Sequence, residues 1–165
     1  MRSNQVRTNL LGTACFLLSV QGMTQIGIAA APADACTVLS QQDVATALGV
    51  EVDAGQHKLG PGDCRWTQPG KPGTDVAVLQ INLTQAQAFG IGKTPIPSWN
   101  KTAQTGIGDE AYYVDNGKVT FLISPTLSVK KGTVFFVIAA KIPKASLEQT
   151  KAIEKAVAVK VVGNV

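Results

Sequence analysis

Few side chains in this 165-residue sequence have the chemistry for catalysis or metal binding. His57 is its one histidine, set between Gly55 and Gly62 with Lys58 beside it. A Ser–His–acid site would have to recruit a distant serine, and no G-x-S-x-G elbow is present. A zinc site needs three or four ligands. His57 therefore reads as a solvated loop residue. Asp109 and Glu110 are adjacent where a strand should begin, so their side chains diverge to opposite faces. The matching turn offers one carboxylate partner, Asp63. Asp63 and Asp109 read more simply as acceptors for local amides in glycine-rich turns. A hydrolase on Asp63, Asp109 or Glu110 is the least favoured reading. The G-x-G pairs at Gly60 and Gly106 lead into strands, whereas a dinucleotide loop leads into a helix. No catalytic residue, metal or cofactor is predicted, and the chain is read as a non-enzyme.

The three cysteines carry more information. Arg2 and Arg7 precede an apolar run from Leu10 to Val20, and a small-residue stretch ends in Ala31-Pro32-Ala33-Asp34-Ala35. That order is the layout of a secretory signal over residues 1–35, cleaved after Ala33 or after Ala35. The run falls short of the roughly 20 residues that span a bilayer. Cys15 leaves with the signal, so Cys36 and Cys64 remain as the predicted disulfide of a periplasmic or secreted protein. Closing a loop of about 30 residues contributes about 3.5 kcal/mol in the chain-entropy model. The alternative use of Cys36 is as a lipidated first residue, the one route by which the protein would meet a membrane. Ala33 stands where a lipoprotein signal carries leucine.

Charge excludes another class. Lysine and arginine number 15 against 11 aspartate and glutamate, and removing Arg2 and Arg7 leaves a net charge near +2. The lysines are scattered, with no basic cluster interleaved with aromatics, so nucleic acid is not an expected partner.

The elements that must position these residues follow from periodicity. Ser40 and Asp43 form a capping box, Leu39 and Val44 a hydrophobic staple, and Gly49 a stop. They predict a short first helix with Val44, Ala47 and Leu48 inward. Cys64–Thr67 is a strand with Cys64 and Trp66 on one face, Trp66 packed over the bridge. Val76–Leu83 is a second strand, with Ala77, Leu79, Ile81 and Leu83 inward. Residues 84–108 read as an irregular excursion, with a helical turn near Thr84–Phe89 and a short helix over Ile96–Gln104. Glu110–Asp115 and Lys118–Ser124 predict a hairpin through a type I′ turn at Asn116-Gly117. One of Tyr112 and Tyr113 should face in and the other out. Leu127–Lys130 and Thr133–Ala140 predict a second hairpin whose last strand is apolar on both faces. Ala145 to about Val159 is the last helix, burying Leu147, Thr150, Ile153 and Val157 and exposing Glu148, Lys151, Glu154 and Lys155. Residues 36–165 thus form one α+β domain: an antiparallel sheet with an N-terminal short helix and a C-terminal helix mostly on one face. Gly60-Pro-Gly-Asp63-x-x-Trp66 and Gly106-Ile-Gly-Asp109-x-x-Tyr112 also echo one another, as a duplicated half-domain would.

The pattern Cys36-x-x-Leu39-Ser40-x-x-Asp43-Val44-x-x-Ala47-Leu48-Gly49, then Cys64-x-Trp66, then Gly106-x-Gly108-Asp109-x-Ala111-Tyr112 resembles a family of small exported bacterial proteins, many of them lipoproteins, known as a domain of unknown function. The resemblance covers most of residues 36–165. It implies an α+β domain outside the cytoplasm, related to the PsbP/Mog1-like fold, and transfers no catalytic residue.

Binding is expected in the excursion. Lys93–Gln104 (KTPIPSWNKTAQ) places Pro95, Pro97, Trp99 and Lys101 together without a core stripe. Prolines lower the entropy lost on docking, and tryptophan supplies interface energy. The expected function is an exported, non-enzymatic module binding a protein or cell-envelope component. A secreted proteinaceous inhibitor of an enzyme is the alternative.

Overall fold

A computed structural model describes residues 34–70, 75–95, 97–118 and 125–165. The chain separates into two units, Met1–Ala30 and Ala31–Val165. The first lies outside the described residues, as does nearly all of the expected signal. Within the second, α1 (Gln41–Leu48) leads to β1 (Asp63–Thr67), β2 (Val78–Gln85), α2 (Gln87–Gly92), β3 (Asn100–Gln104), β4 (Glu110–Asp115), β5 (Thr126–Lys131), β6 (Val134–Lys141) and α3 (Leu147–Val162). The six strands form one sheet in the order β1-β2-β6-β5-β4-β3, and every neighbouring pair is antiparallel. The fold is α+β, as the alternation of hairpin strands and terminal helices requires.

α1 and α3 start where their caps dictate. Ser40 Oγ accepts the Asp43 amide, the Asp43 carboxylate accepts the Ser40 amide, and Gly49 closes α1 at φ 69°. Ser146 and Gln149 form the same reciprocal box for α3. Lys160 Nζ on α3 lies 2.5 Å from Asp43 Oδ1, joining the two helices at the surface.

The main core lies between the sheet and α1 with α3. Its sheet side is built from Cys64, Trp66, Leu79, Ile81, Leu83, Ala111, Tyr113, Leu127, Val129, Phe136, Ile138 and Ala140. Alternation along each strand puts these residues on one face. The opposite face carries a second, smaller cluster of Phe89 from α2 with Tyr112 and Phe135. Their rings sit 5.1 and 5.3 Å from that of Phe89. β6, between β2 and β5, is covered on both faces, which explains its continuous apolar run.

Several expectations are corrected. The excursion contains α2 and β3, and residues 100–104 form a strand where a helix was expected. Pairing with the β4 edge outweighs the local preference, because β4 offers a register of five partners from Asn100↔Asp115 to Gln104↔Ala111. β4 pairs with β3 and β5; the expected partner strand Lys118–Ser124 lies, apart from Lys118, outside the described residues. A type I′ turn needs two consecutive residues with positive φ. Gly117 has one at 76° and Asn116 does not. Asp115 Oδ1 holds this corner through the Gly117 amide at 2.9 Å. Both Tyr112 and Tyr113 are buried, one on each face, because α2 covers the face expected to meet water.

The last helix is also rotated relative to its expected stripe. Its buried residues are Thr150, Glu154, Val157, Ala158 and Val161, while Leu147 and Ile153 are half-buried. Glu154 is thus fully buried, and Lys151 pairs with Asp115 at 2.9 Å and with Glu148 at 3.6 Å.

Candidate functional site

Cys36 and Cys64 form the expected disulfide, with Cα atoms 5.0 Å apart. Trp66 is 1% exposed and lies with Cys64 against Gly55. A methyl group at Gly55 would come within 2.6 Å of Cys64 Sγ and 2.8 Å of the Trp66 ring. The bridge is therefore packed over by glycine and tryptophan, as its place at the start of a core strand demands.

His57 sits at the exposed side of the bridge. Its Nδ1–H donates to the Asp63 carbonyl at 2.7 Å, and Nε2 lies 3.3 Å from Asp34 Oδ1. The Asp63 carbonyl, and after it the Asp34 charge, hold the imidazole above its ordinary range. Cys36 Sγ lies 3.7 Å from Nδ1. Asp34, Cys36 and His57 bring three potential ligand atoms within 4.8 Å of one another, but the Cys36 sulfur is spent on the disulfide. Two donors remain, too few for a zinc site.

The turn carboxylates do what the glycine-rich context predicts. Asp63 Oδ1 accepts the amides of Lys58 and Leu59, both at 2.7 Å. Asp109 Oδ2 accepts the Gly132 amide at 2.6 Å and Oδ1 meets Lys131 Nζ at 3.2 Å, so it clasps the β5–β6 turn. The Gly132 amide, then Lys131, hold its carboxyl below the ordinary range. Glu110 pairs with Lys93 at 2.5 Å. Three strands separate β1 from β4, roughly 19 Å at sheet spacing, so Asp63 does not meet Asp109 or Glu110.

The G-x-G-D echo is one of turn chemistry. The second glycine in each lies against a neighbouring strand's carbonyl: Leu83 O at 2.7 Å for a Cβ on Gly62, and Lys130 O at 2.5 Å for one on Gly108. Beyond the turns the likeness ends, since Trp66 joins the main core and Tyr112 the opposite cluster. That is not the relation a duplicated half-domain would show.

The four residues expected to bind a partner converge on one sheet edge. Pro95 and Pro97 are exposed, and Ser98 adopts φ 68°, a conformation costly outside glycine. This turn delivers Trp99, half-buried, to the start of β3. Lys101 Nζ lies 4.8 Å from the Tyr112 ring centroid and donates to the Thr94 carbonyl at 3.4 Å, pinning the loop to the sheet.

The two sheet edges differ. Beside β1 the chain returns, with Gln56 and Arg65 exchanging backbone bonds of 2.9 and 3.0 Å and the Asp53 amide reaching the Thr67 carbonyl at 2.8 Å. β3 has no such cover among the described residues, and its first four residues are exposed. A cleft of about 410 Å³ runs between β3 and α3, lined by Thr102, Gln104, Tyr113, Glu148, Lys151, Ala152 and Lys155. Burial works to raise the Asp115 carboxyl beside it, but Lys151, the Gly117 amide and Asn100 outweigh this and hold it low. Lysine at the cleft wall is therefore fixed in place by a charged partner.

The edge strand itself was missed in the sequence. Its letters, NKTAQ, carry no alternating apolar signal because neither face of β3 is buried. Among the described residues no helix is long and apolar enough to cross a membrane. No family model, curated protein or solved structure matches the chain.

Proposed function

We propose that this is an exported, non-enzymatic binding domain that takes up an extended segment of a protein or cell-envelope component along β3. One observation carries the reading: among the described residues the sheet is closed by the chain itself at β1 and left exposed at β3. Exposed strand edges offer a row of backbone donors and acceptors to a peptide, and proteins ordinarily blunt them. Trp99, Pro95 and Pro97 lie where such a segment would enter, and the β3–α3 cleft would receive its alternate side chains. Lys155 at the cleft wall favours a segment bearing carboxylates. Export is supported by the signal-like leader, by the disulfide, and by the resemblance to small exported bacterial proteins.

A photo-crosslinking residue placed at Thr102 in the exported chain tests the reading, with the same residue at Gln56 on the covered edge as comparison. Envelope extract should yield discrete adducts from position 102 and none from position 56. Equal labelling at both edges, or none at 102, rejects it.

A further inference from the structure

We infer that the chain is processed at the Ala33–Asp34 bond, and that Asp34 and Ala35 belong to the working domain. The inference rests on the export reading above. The sequence admits two A-x-A sites and a lipoprotein route, and the last two of these three would make Cys36 the first residue.

The two residues before Cys36 are built into the fold. Asp34 Oδ1 accepts the Cys36 amide at 2.8 Å, and the Asp34 carbonyl accepts the Thr37 amide at 3.0 Å and the Thr37 hydroxyl at 2.8 Å. The same carboxylate faces His57 Nε2 at 3.3 Å. Ala35 is 0% exposed and part of the main core, and its amide donates to the Pro61 carbonyl at 2.8 Å. Together they tie the start of the domain to the Gly60–Asp63 turn and to the exposed side of the disulfide. A product starting at Cys36 loses all of these bonds. It leaves a methyl-sized hole in the core and the Pro61 carbonyl without its donor, and it sets a charged amine beside the bridge.

The lipoprotein route meets a second obstacle. It consumes Cys36 Sγ in a thioether, and that sulfur is bonded to Cys64. Cleavage after Ala33 avoids both conflicts, with Ala31 and Ala33 as the small residues that a signal peptidase reads. The step is a hydrolysis: water adds across the Ala33–Asp34 amide and yields an Ala33 carboxylate and an Asp34 α-ammonium.

The test is the N-terminal sequence and intact mass of protein recovered from periplasm or medium after expression of the full chain. A start at Asp34, with the mass of residues 34–165 less two hydrogens for the disulfide, supports the inference. A start at Cys36, with or without a lipid adduct, overturns it while leaving export intact. An uncut chain beginning at Met1 overturns the export reading itself. Ala31→Tyr gives a second measure, since Ala31 is read only for the cut after Ala33. Pulse-chase should show precursor accumulating at least several-fold over wild type; wild-type processing at Asp34 overturns the assignment of Ala31.

Discussion

Glu154 Oε1 accepts the backbone amide of Ala140 at 2.9 Å inside the core, where the side chain has no solvent exposure. The cause lies in the sheet. β5 pairs with β6 only as far as Leu127↔Ile138, so Ala140 stands past the end of that ladder. A buried amide without an acceptor costs about 1–3 kcal/mol. Glu154 supplies the acceptor at the expense of its own hydration, and burial pushes its carboxyl up to about 9.

That makes the domain sensitive to alkali. The folded state keeps the Glu154 proton across a range in which the unfolded chain has lost it. Stability from this group is therefore full at low pH and falls between the ordinary value of 4.5 and about 9. Glu154→Gln keeps a carbonyl acceptor for Ala140 and cannot ionise. Denaturant unfolding should show the variant more stable at pH 8 by roughly 2–4 kcal/mol, with the difference vanishing near pH 4. Parallel pH curves for the two proteins would contradict this account of Glu154.

Gly55→Ala should destabilise the domain by about 2 kcal/mol, the usual cost of overpacking. Its methyl would meet both Cys64 Sγ and the Trp66 ring inside 3 Å. Gly90, with nothing within 4 Å of an added Cβ, serves as the comparison. Gly90→Ala in α2 should be neutral or stabilising by up to about 1 kcal/mol. Thermal melts of the two variants check the contrast.

Breaking the bridge should matter more. Cys36→Ser combined with Cys64→Ala removes the cross-link without leaving a polar group in the core. Calorimetry should show a loss of about 3 kcal/mol, or roughly 10 °C in Tm. A double variant melting within 2 or so degrees of wild type would show that the bridge adds little to folding.

Trp99→Ala separates packing from binding. Trp99 is half-buried and outside both core clusters. Its loss should cost the fold no more than about 1 kcal/mol, against the 3–5 kcal/mol of a truncated core aromatic. Capture of the crosslinked partner should weaken by about 2 kcal/mol, some thirty-fold in Kd. Unfolding curves and binding isotherms on the same preparation distinguish the outcomes.

Features fixed by neighbours in the chain were legible in the letters. The Ser40–Asp43 box, the Gly49 stop and the inward set of Ala77, Leu79, Ile81 and Leu83 all depend on bonds or alternation within a few residues, and the structure contains each. The Cys36–Cys64 pair followed from counting. Features that depend on which strand lies beside which were not legible. Residues 100–104 are a strand because β4 has an open edge to fill, and nothing within NKTAQ encodes that partner. Glu154 sits on a helix face that reads as solvent-exposed until the end of β5 uncovers an amide opposite it. Tyr112 is buried because α2 folds over from elsewhere. Local hydrogen bonds and periodicity reveal the elements of this protein. The exposed β3 edge among the described residues and the buried Glu154 arise from long-range pairing, which places groups distant in sequence where each must satisfy what the other leaves unpaired.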